Sequence, residues 1–351
     1  MRIGVPKEIK NNEFRVGLTP NSVVELIHHG HELWVETGAG DGAMFGDSEY
    51  LRAGGEIAYS PAEVLQRAEL AVKIARPTAE EIRFCRPGTA MMAFYHMAVA
   101  SKELLDALGE RSLTAIGNEI VQLDNGRLPV LAAVSEIAGQ MTIPIAAHLM
   151  RSSSGGRGIL LGGTPGVPPA HVVVLGVGAV GSAAARTAMA TGARVTAFDT
   201  QPASLRRILE HLRGVETCLA DAEAIAETLA TADVLIGAVL TAGTRAPHVV
   251  TRAMVERMKP GSAIIDVSID QGGCVETSRP TTLAEPTFAC HGVTHFCVPN
   301  FTADLGRSSS VAIAQAMLPY LLKLAEHGVD AAIDVCPDLR RGLYLLRGSR
   351  P

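Results

Sequence analysis

The segment HVVVLGVGAVG, residues 171–181, has the spacing of a turn that binds a dinucleotide. An apolar run leads into Gly176, Gly178 and Gly181 in the order GxGxxG. The first glycine allows a tight turn, the second lets the backbone approach a pyrophosphate, and the third permits close contact between strand and helix. The amides and the positive dipole end of the following helix would face the phosphates. The pattern therefore predicts dinucleotide binding, with a glycine turn in an ordinary α/β core as the alternative.

Asp199 indicates which dinucleotide this turn would bind. It ends a second apolar run, RVTAFD, at residues 194–199. An acid at this place accepts hydrogen bonds from the adenosine ribose hydroxyls, and its charge repels a 2′-phosphate. The predicted cofactor is therefore NAD rather than NADP.

Three further side chains could act on a substrate. Arg15 lies in the polar loop KNNEFRVGLTP, His96 follows the apolar run MMAFY, and Asp270 lies in IIDVSIDQGG. A residue that follows a parallel strand faces the crevice where ligands bind. An arginine there can hold a carboxylate with two hydrogen bonds, and a histidine can exchange a proton near neutral pH. The alternative is a surface arginine and a core histidine that bonds a carbonyl.

A metal site is not expected. Cys290, His291, His295 and Cys297 are close in sequence, but their spacing matches no usual zinc pattern. The segment is typical of a strand and a loop of a nucleotide-binding domain.

Short β-branched runs alternate with helical patterns from the first residues, which predicts βαβ units around a parallel sheet. The candidate strands of the first half are 2–5, 32–36, 70–74, 91–95 and 113–117. The candidate helices are near 20–29, 61–67, 78–84, 101–109 and 135–150.

The alternation begins again after a connection rich in glycine and proline, residues 152–169. The predicted elements that follow are strands at 172–175, 194–198, 233–238 and 263–268, and helices at 179–191 and 309–327. Because the last helix follows the second sheet, we expect the chain to return to the first domain. The predicted fold is α/β, with two Rossmann-like, doubly wound parallel sheets and a cleft between them. Residues 1–140 and 305–351 would form the substrate domain, and residues 141–304 the NAD-binding domain.

Composition agrees with a two-domain protein and excludes several classes. The chain has 351 residues, a formal net charge of -5, 47% hydrophobic and 19% charged residues. Disorder requires low hydrophobicity with high charge, and nucleic-acid binding requires a basic face, so neither is expected. The six cysteines form no CxxC pair, and the N-terminus has no apolar signal core, which predicts a reduced, cytoplasmic protein.

One uncharged stretch, residues 158–185, is long enough to suggest a membrane span. Its glycines and prolines prevent one continuous helix, so we expect no membrane association.

The chain resembles the alanine dehydrogenase family over about residues 1–345. The segments that carry the resemblance are IGVPKEIKNNEFRVGLTP, FYH, VSEIAG, GGRGILLGGTPGV, VLGVGAVG, IGAVLTAGTRAP and DVSIDQGGCVETSRPTT. Their order and spacing match the family pattern.

The resemblance implies an NAD-dependent enzyme that interconverts an amino acid with its keto acid and ammonia. Arg15 would anchor the substrate carboxylate, His96 would act as acid and base on the carbonyl or imine, and Asp270 would assist ammonia addition. Other residues fall in stretches that line the cofactor in the family: Ser135, Val239, Leu240, Ile269 and Asn300. Soluble family members form hexamers, so a homo-oligomer is implied, with a dimer left open by a shorter tail.

The sequence departs from the family at the segment LAVKIARP. The family pattern LxKxKEP has a lysine two residues before the proline, where this chain has Ala75, and an acid where it has Arg76. Lys73 remains as a candidate for substrate binding. In an extended strand Lys73 and Ala75 share a face, and Arg76 points to the other face unless the strand end is irregular. The missing charge-assisted bond would cost about 2–4 kcal/mol of substrate binding, so alanine would be a poor substrate.

A second departure follows Asn300. The family pattern NMPxxVPxTST is replaced by NFTADLGRS, which we interpret as a mobile segment where Phe301, Asp304 and Arg307 bring new chemistry to the rim of the cleft.

Three functional hypotheses follow. The first is an NAD-dependent amino-acid dehydrogenase with an altered substrate. The second is an imine reductase that condenses an amine with a keto acid, as saccharopine-type relatives do. The third is an NAD-binding protein that has lost catalysis and serves as a scaffold.

Overall fold

The computed structural model describes residues 1–97, 100–240 and 245–350. Residues 241–244 of the segment IGAVLTAGTRAP therefore lie outside the described part. The chain divides into two units by its internal contacts. The first unit is Met1–Val134 with Thr302–Pro351, and the second is Ser135–Phe301.

The described residues contain two seven-stranded sheets. The strands are β1 Arg2–Val5, β2 Glu32–Glu36, β3 Glu56–Ala58, β4 Leu70–Val72, β5 Ala90–Ala93, β6 Thr114–Gly117, β7 His171–Leu175, β8 Arg194–Asp199, β9 Glu216–Leu219, β10 Val234–Gly237, β11 Ala263–Asp266, β12 Thr287–Cys290, β13 Val293–Phe296 and β14 Leu343–Leu345. The α-helices are α1 Pro20–His28, α2 Asp47–Arg52, α3 Pro61–Arg67, α4 Ala79–Phe84, α5 Lys102–Glu110, α6 Pro129–Leu149, α7 Ala179–Ala190, α8 Pro202–His211, α9 Ala222–Thr231, α10 Arg252–Glu256, α11 Gly306–His327, α12 Val329–Val335 and α13 Pro337–Arg341.

The first unit has the strand order β14-β6-β5-β4-β1-β2-β3. Its strands pair in parallel except for β14, which pairs antiparallel with β6. Side chains on the two faces enter different cores: Met92 of β5 joins one cluster, and Met91 and Ala93 join the other. Helix α11 contributes Ile313 and Met317 to the first cluster. Both faces of the sheet are therefore covered, as a parallel sheet requires.

The second unit has the order β12-β13-β11-β10-β7-β8-β9, with β12 antiparallel to β13. Strand β7 alternates in the same way, because Val172 and Val174 enter one cluster while Val173 and Leu175 enter the other. The two sheets confirm the predicted α/β fold with doubly wound parallel sheets.

Local sequence explains where several helices begin. Thr19 accepts a hydrogen bond from the Ser22 amide at the start of α1, and Pro20 occupies the first helical position. Ser60 and Pro61 begin α3 in the same way. A cap side chain replaces a missing helical partner, and proline supplies a suitable φ without needing an amide.

Helix α6 links the two units within one element. Val130 belongs to the first unit's core, and Ile143 and Ala146 belong to the second unit's core. The helix has 21 residues and is apolar enough to cross a membrane by length and composition alone, a test that core helices of globular proteins also pass. The sequence predicted a helix near 135–150, and the structure begins it at Pro129.

Some predicted bounds match the observed ones, and others differ by two or more residues. Strands β1 and β2 have the predicted bounds, whereas β4 ends at Val72 instead of Ile74. Strand β13 lies in the segment 290–297 that we interpreted as a strand and a loop. Elements that we did not predict are β3, β9, β12, β14, α2, α8, α9, α10, α12 and α13.

Replacing Gly139 by alanine should destabilise the protein. A Cβ at this position of α6 would lie 2.2 Å from the Val180 carbonyl oxygen of α7 and 2.7 Å from the Ala183 Cβ. The helices would have to separate, and overpacking of this kind typically costs about 1–3 kcal/mol. Urea denaturation of Gly139→Ala should show this loss. The neighbouring exposed change Gln140→Ala is the control, and equal stability of the two variants would contradict the close packing.

Candidate functional site

The glycine turn of the second unit follows β7 and leads into α7. Gly176 has φ +87°, and a Cβ there would lie 2.6 Å from the Ala238 carbonyl oxygen. A Cβ on Gly181 would lie 1.8 Å from the Gly176 carbonyl oxygen. Gly178 is the N-cap residue of α7, and a Cβ there would meet nothing within 4 Å. Two glycines are thus required by packing, and Gly178 borders open space at the helix N-terminus.

Asp199 lies beside this turn at the end of β8. Its carboxylate accepts hydrogen bonds from the Val177 amide (2.9 Å) and the Gln201 amide (2.8 Å). The acid is therefore fixed next to the amides of the first turn of α7, which lack partners within the helix. Open space at Gly178, first-turn amides and an adjacent acid fit the phosphates and ribose of a dinucleotide.

The other predicted cofactor residues occupy different surroundings in the second unit. The Val239 amide donates to the Ser268 hydroxyl (2.9 Å), and Ile269 is buried. Leu240 is 57% exposed, and Ser135 is half-buried on α6. Strands β10 and β11 pair in parallel, so the segments that carry Val239 and Ile269 follow neighbouring strand ends.

Asp270 and Asn300 meet in the second unit. Asp270 is exposed in a 3₁₀ helix, Val267–Gln271, and its carboxylate accepts a hydrogen bond from the Asn300 amide (2.9 Å). Asn300 has φ +54°, a left-handed conformation that asparagine tolerates. This bond fixes the segment around Asn300 relative to Asp270.

Asp266, which the sequence did not single out, shapes the Asp270 loop. Its buried carboxylate accepts hydrogen bonds from the amides of Ser268 (3.1 Å), Cys274 (3.0 Å) and Val275 (3.2 Å). Burial raises the pKa of this carboxyl, although the hydrogen bonds oppose the shift. Asp266 ends β11 just before the loop, and this position was the signal available in the sequence.

Arg15 is held rigidly in the first unit. Its guanidinium donates two hydrogen bonds of 2.6 Å to the two carboxylate oxygens of Glu13, and both side chains are buried. Nη1 also donates to the Thr302 hydroxyl (3.3 Å). The positive charge of Arg15 is thus fixed in place and largely balanced by Glu13.

A cavity of about 200 Å³ lies beside Arg15. Its lining includes two basic side chains, Lys7 and Arg15, and three acids, which are Glu8, Glu13 and Asp41. The mixture suits a small ligand that carries both charges.

Lys73 is buried between two carboxylates. Its Nζ donates a hydrogen bond to Glu81 (2.6 Å). It also lies 3.2 Å from Oε2 of Glu8, an ion pair without hydrogen-bond geometry. Burial alone would lower the pKa of Lys73, but the charges of Glu8 and Glu81 together raise it. Burial raises the pKa of Glu8 in spite of the lysine. The prediction that Lys73 binds substrate stays a prediction, and substrate would compete with these two acids.

The chain is irregular after β4, so strand alternation does not extend to residue 76. Residues 74 and 75 form a bend. Arg76 turns towards the backbone that follows β5, where Nε donates to the Tyr95 carbonyl and Nη2 donates to the His96 carbonyl (2.9 Å). Ala75 is half-buried in the bend.

His96 follows β5 with an exposed side chain and φ +47°. Its amide donates to a carboxylate oxygen of Glu119 at 2.5 Å, and its ring stacks with Phe94 at 6.2 Å between centroids. Glu119 was not among the predicted residues. It comes shortly after the end of β6, so it lies at the same edge of the sheet as His96.

The segment after Asn300 differs from our interpretation. It forms a 3₁₀ helix, Phe301–Leu305, that leads directly into α11. Phe301 is buried against Phe296 at 5.6 Å between ring centroids, because it fills the core of the second unit. Arg307 is exposed and donates to the Met44 carbonyl (2.7 Å) of the first unit. Asp304 is exposed.

Two histidines of the segment 290–297 contact polar side chains elsewhere in the second unit. His295 is buried and bonds the Thr277 hydroxyl at 2.8 Å, and Nε2 of His291 lies 3.5 Å from Glu256. Within residues 1–97, 100–240 and 245–350, no group of three His, Cys, Asp or Glu residues could hold a metal ion.

Removing the charge of Lys73 should be strongly destabilising. In Lys73→Met, Glu8 and Glu81 would remain buried without a cation, and loss of one partner of a buried pair typically costs about 3–5 kcal/mol. The triple change Lys73→Met, Glu8→Gln, Glu81→Gln removes all three charges and should regain most of this loss. Urea denaturation measures both. Equal stability of Lys73→Met and the unmodified protein would contradict the buried ion cluster.

Comparison with known proteins covers the whole chain. Residues 4–138 match the family described as alanine dehydrogenase/PNT, N-terminal domain, and residues 142–350 match its C-terminal domain. The alanine dehydrogenase of Mycolicibacterium smegmatis is 43% identical over 344 residues, 98% of this chain and 92% of that protein. A solved L-alanine dehydrogenase superposes with a TM-score of 0.95 at 41% identity and covers 100% of this chain and 96% of its own.

A solved transhydrogenase from Sinorhizobium meliloti superposes with a TM-score of 0.85 at 26% identity, covering 100% of this chain and 98% of its own. The family match, the identities and these superpositions all extend across both units. The chain therefore belongs to the alanine dehydrogenase/PNT family.

Proposed function

We propose that this protein is an NAD-dependent amino-acid dehydrogenase, which interconverts a small L-amino acid with its 2-keto acid and ammonia. The observation that carries the proposal is the glycine turn with Asp199 bonded to the Val177 amide, in a chain that belongs to this family throughout. The first unit would be the substrate domain and the second the NAD-binding domain.

The second unit's residues support the cofactor assignment. Phosphates would lie at Gly178 and the first-turn amides of α7, and Asp199 would accept hydrogen bonds from the adenosine ribose. When bound, NAD accepts the hydride in deamination and NADH returns it in the reverse direction.

The first unit's residues support the substrate assignment. Arg15 would bind the substrate carboxylate at the cavity it lines, and Glu13 would keep the guanidinium in one orientation. His96 would give and take a proton at the reacting carbonyl or imine, and Asp270 would assist the addition of ammonia. Orientation of the reactants is the main task that remains for the protein.

We propose that the substrate is not alanine. Lys73 forms ion pairs with two acids, and Arg76 donates to two carbonyls. These contacts oppose a role for either side chain as a replacement for the lysine absent at residue 75. Lys7 and Arg15 are the basic side chains of the described cavity, and they favour a keto acid held through its carboxylate.

The predicted setting is a cytoplasmic homo-oligomer, a hexamer or a dimer, that binds a small molecule and neither nucleic acid nor membrane. These points stay predictions, and the oligomeric state is measurable by light scattering of the purified protein.

An assay of NADH oxidation distinguishes the amino-acid dehydrogenase from the imine reductase and the scaffold. We expect loss of NADH absorbance when the enzyme receives ammonium and a 2-keto acid larger than pyruvate. Pyruvate should be turned over about 30- to 1,000-fold less efficiently, as expected from loss of about 2–4 kcal/mol. No turnover with ammonium and any keto acid would contradict the proposal. Turnover that requires an organic amine would instead show reductive condensation.

The change Ala75→Lys tests the cause of this specificity. A lysine would return a cation to the bend after β4, so efficiency with pyruvate should rise relative to the larger acid. Ala75→Met is the matched control, because it adds similar length without charge. Equal effects of the two changes would contradict a role for the missing charge.

Alanine substitutions at Gly178 and Gly181 should differ in their effects on NADH binding and on thermal stability. Gly178→Ala should weaken NADH binding at least about tenfold, or about 1.4 kcal/mol, because its Cβ enters the open space at the helix N-terminus. Its melting temperature should stay near that of the unmodified protein, whereas Gly181→Ala should melt earlier. NADH fluorescence titration and thermal melting measure the two effects. Unchanged NADH binding by Gly178→Ala would contradict the assignment.

A further inference from the structure

The backbone at Tyr95 and His96 lies between two flanking strands. Strand β5 pairs in parallel with β4 on one side and with β6 on the other. The carboxyl ends of all three strands therefore meet at one edge of the sheet. His96 lies in the loop at that edge in a left-handed conformation, φ +47°, which is disfavoured for a residue with a Cβ.

A carboxylate holds the amides of this segment from the β6 side. Glu119 accepts from the His96 amide at 2.5 Å and from the Tyr95 amide at 3.3 Å. The Tyr344 hydroxyl donates to the same carboxylate at 3.1 Å. Glu119 is 8% exposed, so these charge-assisted bonds are shielded from water.

A guanidinium holds the carbonyls of the same two residues from the β4 side. Arg76 donates from Nε to the Tyr95 carbonyl and from Nη2 to the His96 carbonyl at 2.9 Å. Both amides and both carbonyls of two successive residues are thus bonded by charged side chains. Neither set of bonds belongs to the strand ladder.

We propose that Arg76 and Glu119 are positioning residues for His96. By bonding both sides of the Tyr95–His96 backbone, they hold His96 in its left-handed conformation and so fix the direction of its imidazole. This inference rests on the proposed role of His96 as the acid and base.

The ring of His96 needs such support from its backbone. Its side chain is exposed, and its ring stacks with that of Phe94. If the backbone relaxed to negative φ, the Cα–Cβ bond would point elsewhere and the imidazole would move with it. A displacement of about 1 Å in a catalytic group can cost on the order of 100-fold in rate.

A double-mutant cycle tests the inference. The variants are Arg76→Ala, His96→Ala and the double variant, each assayed for kcat and KM with NADH, ammonium and the best keto acid. Arg76→Ala alone should lower kcat by about 10- to 100-fold with little change in the KM for NADH. In the His96→Ala background the same change should lower kcat less than about twofold, because a positioning residue acts through the group it positions.

The outcomes separate the inference from the proposed function. An equal loss from Arg76→Ala in both backgrounds would overturn the positioning role while leaving His96 as the acid and base. Unchanged kcat in His96→Ala would overturn the proposed role of His96 and the inference with it. A merely structural role of Arg76 would lower kcat in both backgrounds and would not give the expected non-additivity.

Conservative variants keep the test informative if Arg76→Ala folds poorly. Arg76→Lys retains the charge and a donor, so it should lose less kcat than Arg76→Gln, and the reverse order would overturn the inference. Glu119→Gln should show the same non-additivity with His96→Ala, because its NH₂ group faces an amide donor. Arg341→Ala is the control: Arg341 also donates to a backbone carbonyl, that of Gln122 (2.7 Å), and its loss should leave kcat unchanged.

Discussion

Parallel pairing of β4, β5 and β6 is the constraint on which the site proposed in the first unit depends. Because the three strands point the same way, Arg76, His96 and Glu119 reach one edge although 20 or more residues separate His96 from each of the others. The strand ladder ends there, so the backbone groups of the next residues need other partners. Charged side chains from the flanking strands supply them. The backbone of Tyr95 and His96 is thereby held by side chains of the protein itself.

Carboxylates have the same effect at several strand ends. Glu8 accepts the Ile74 amide, Asp266 accepts amides of the loop that carries Asp270, and Asp199 accepts the Val177 amide. Each acid binds loop backbone rather than only a cation. A carboxylate that accepts several amides favours one loop conformation, and fixed loops reduce the rearrangement needed for catalysis. The acids of this protein thus shape the loops from which the proposed chemistry takes place.

The sequence predicted what depends on local pattern. Apolar runs and glycine spacing were sufficient for β1, β7, the turn at Gly176 and the doubly wound fold. They were insufficient for β12 and α13, which are short and depend on tertiary contacts. Glu119 and Asp266 escaped prediction because an acid after a strand has no distinctive spacing. Phe301 was placed at a rim because it falls in the segment that departs from the family pattern after Asn300, whereas the fold directs it into a core.

Ala75 and Arg76 are adjacent departures with separate consequences. A lysine side chain at residue 75 would end in an ammonium that is free to rotate towards a ligand, and alanine removes it. Arg76 adds a cation, but two of its donors already bond the carbonyls of Tyr95 and His96. Because these two bonds fix the guanidinium, Arg76 is less able than a lysine at residue 75 to turn towards a substrate carboxylate. Our proposal therefore assigns substrate recognition to the cavity lined by Arg15 and Lys7 rather than to Arg76.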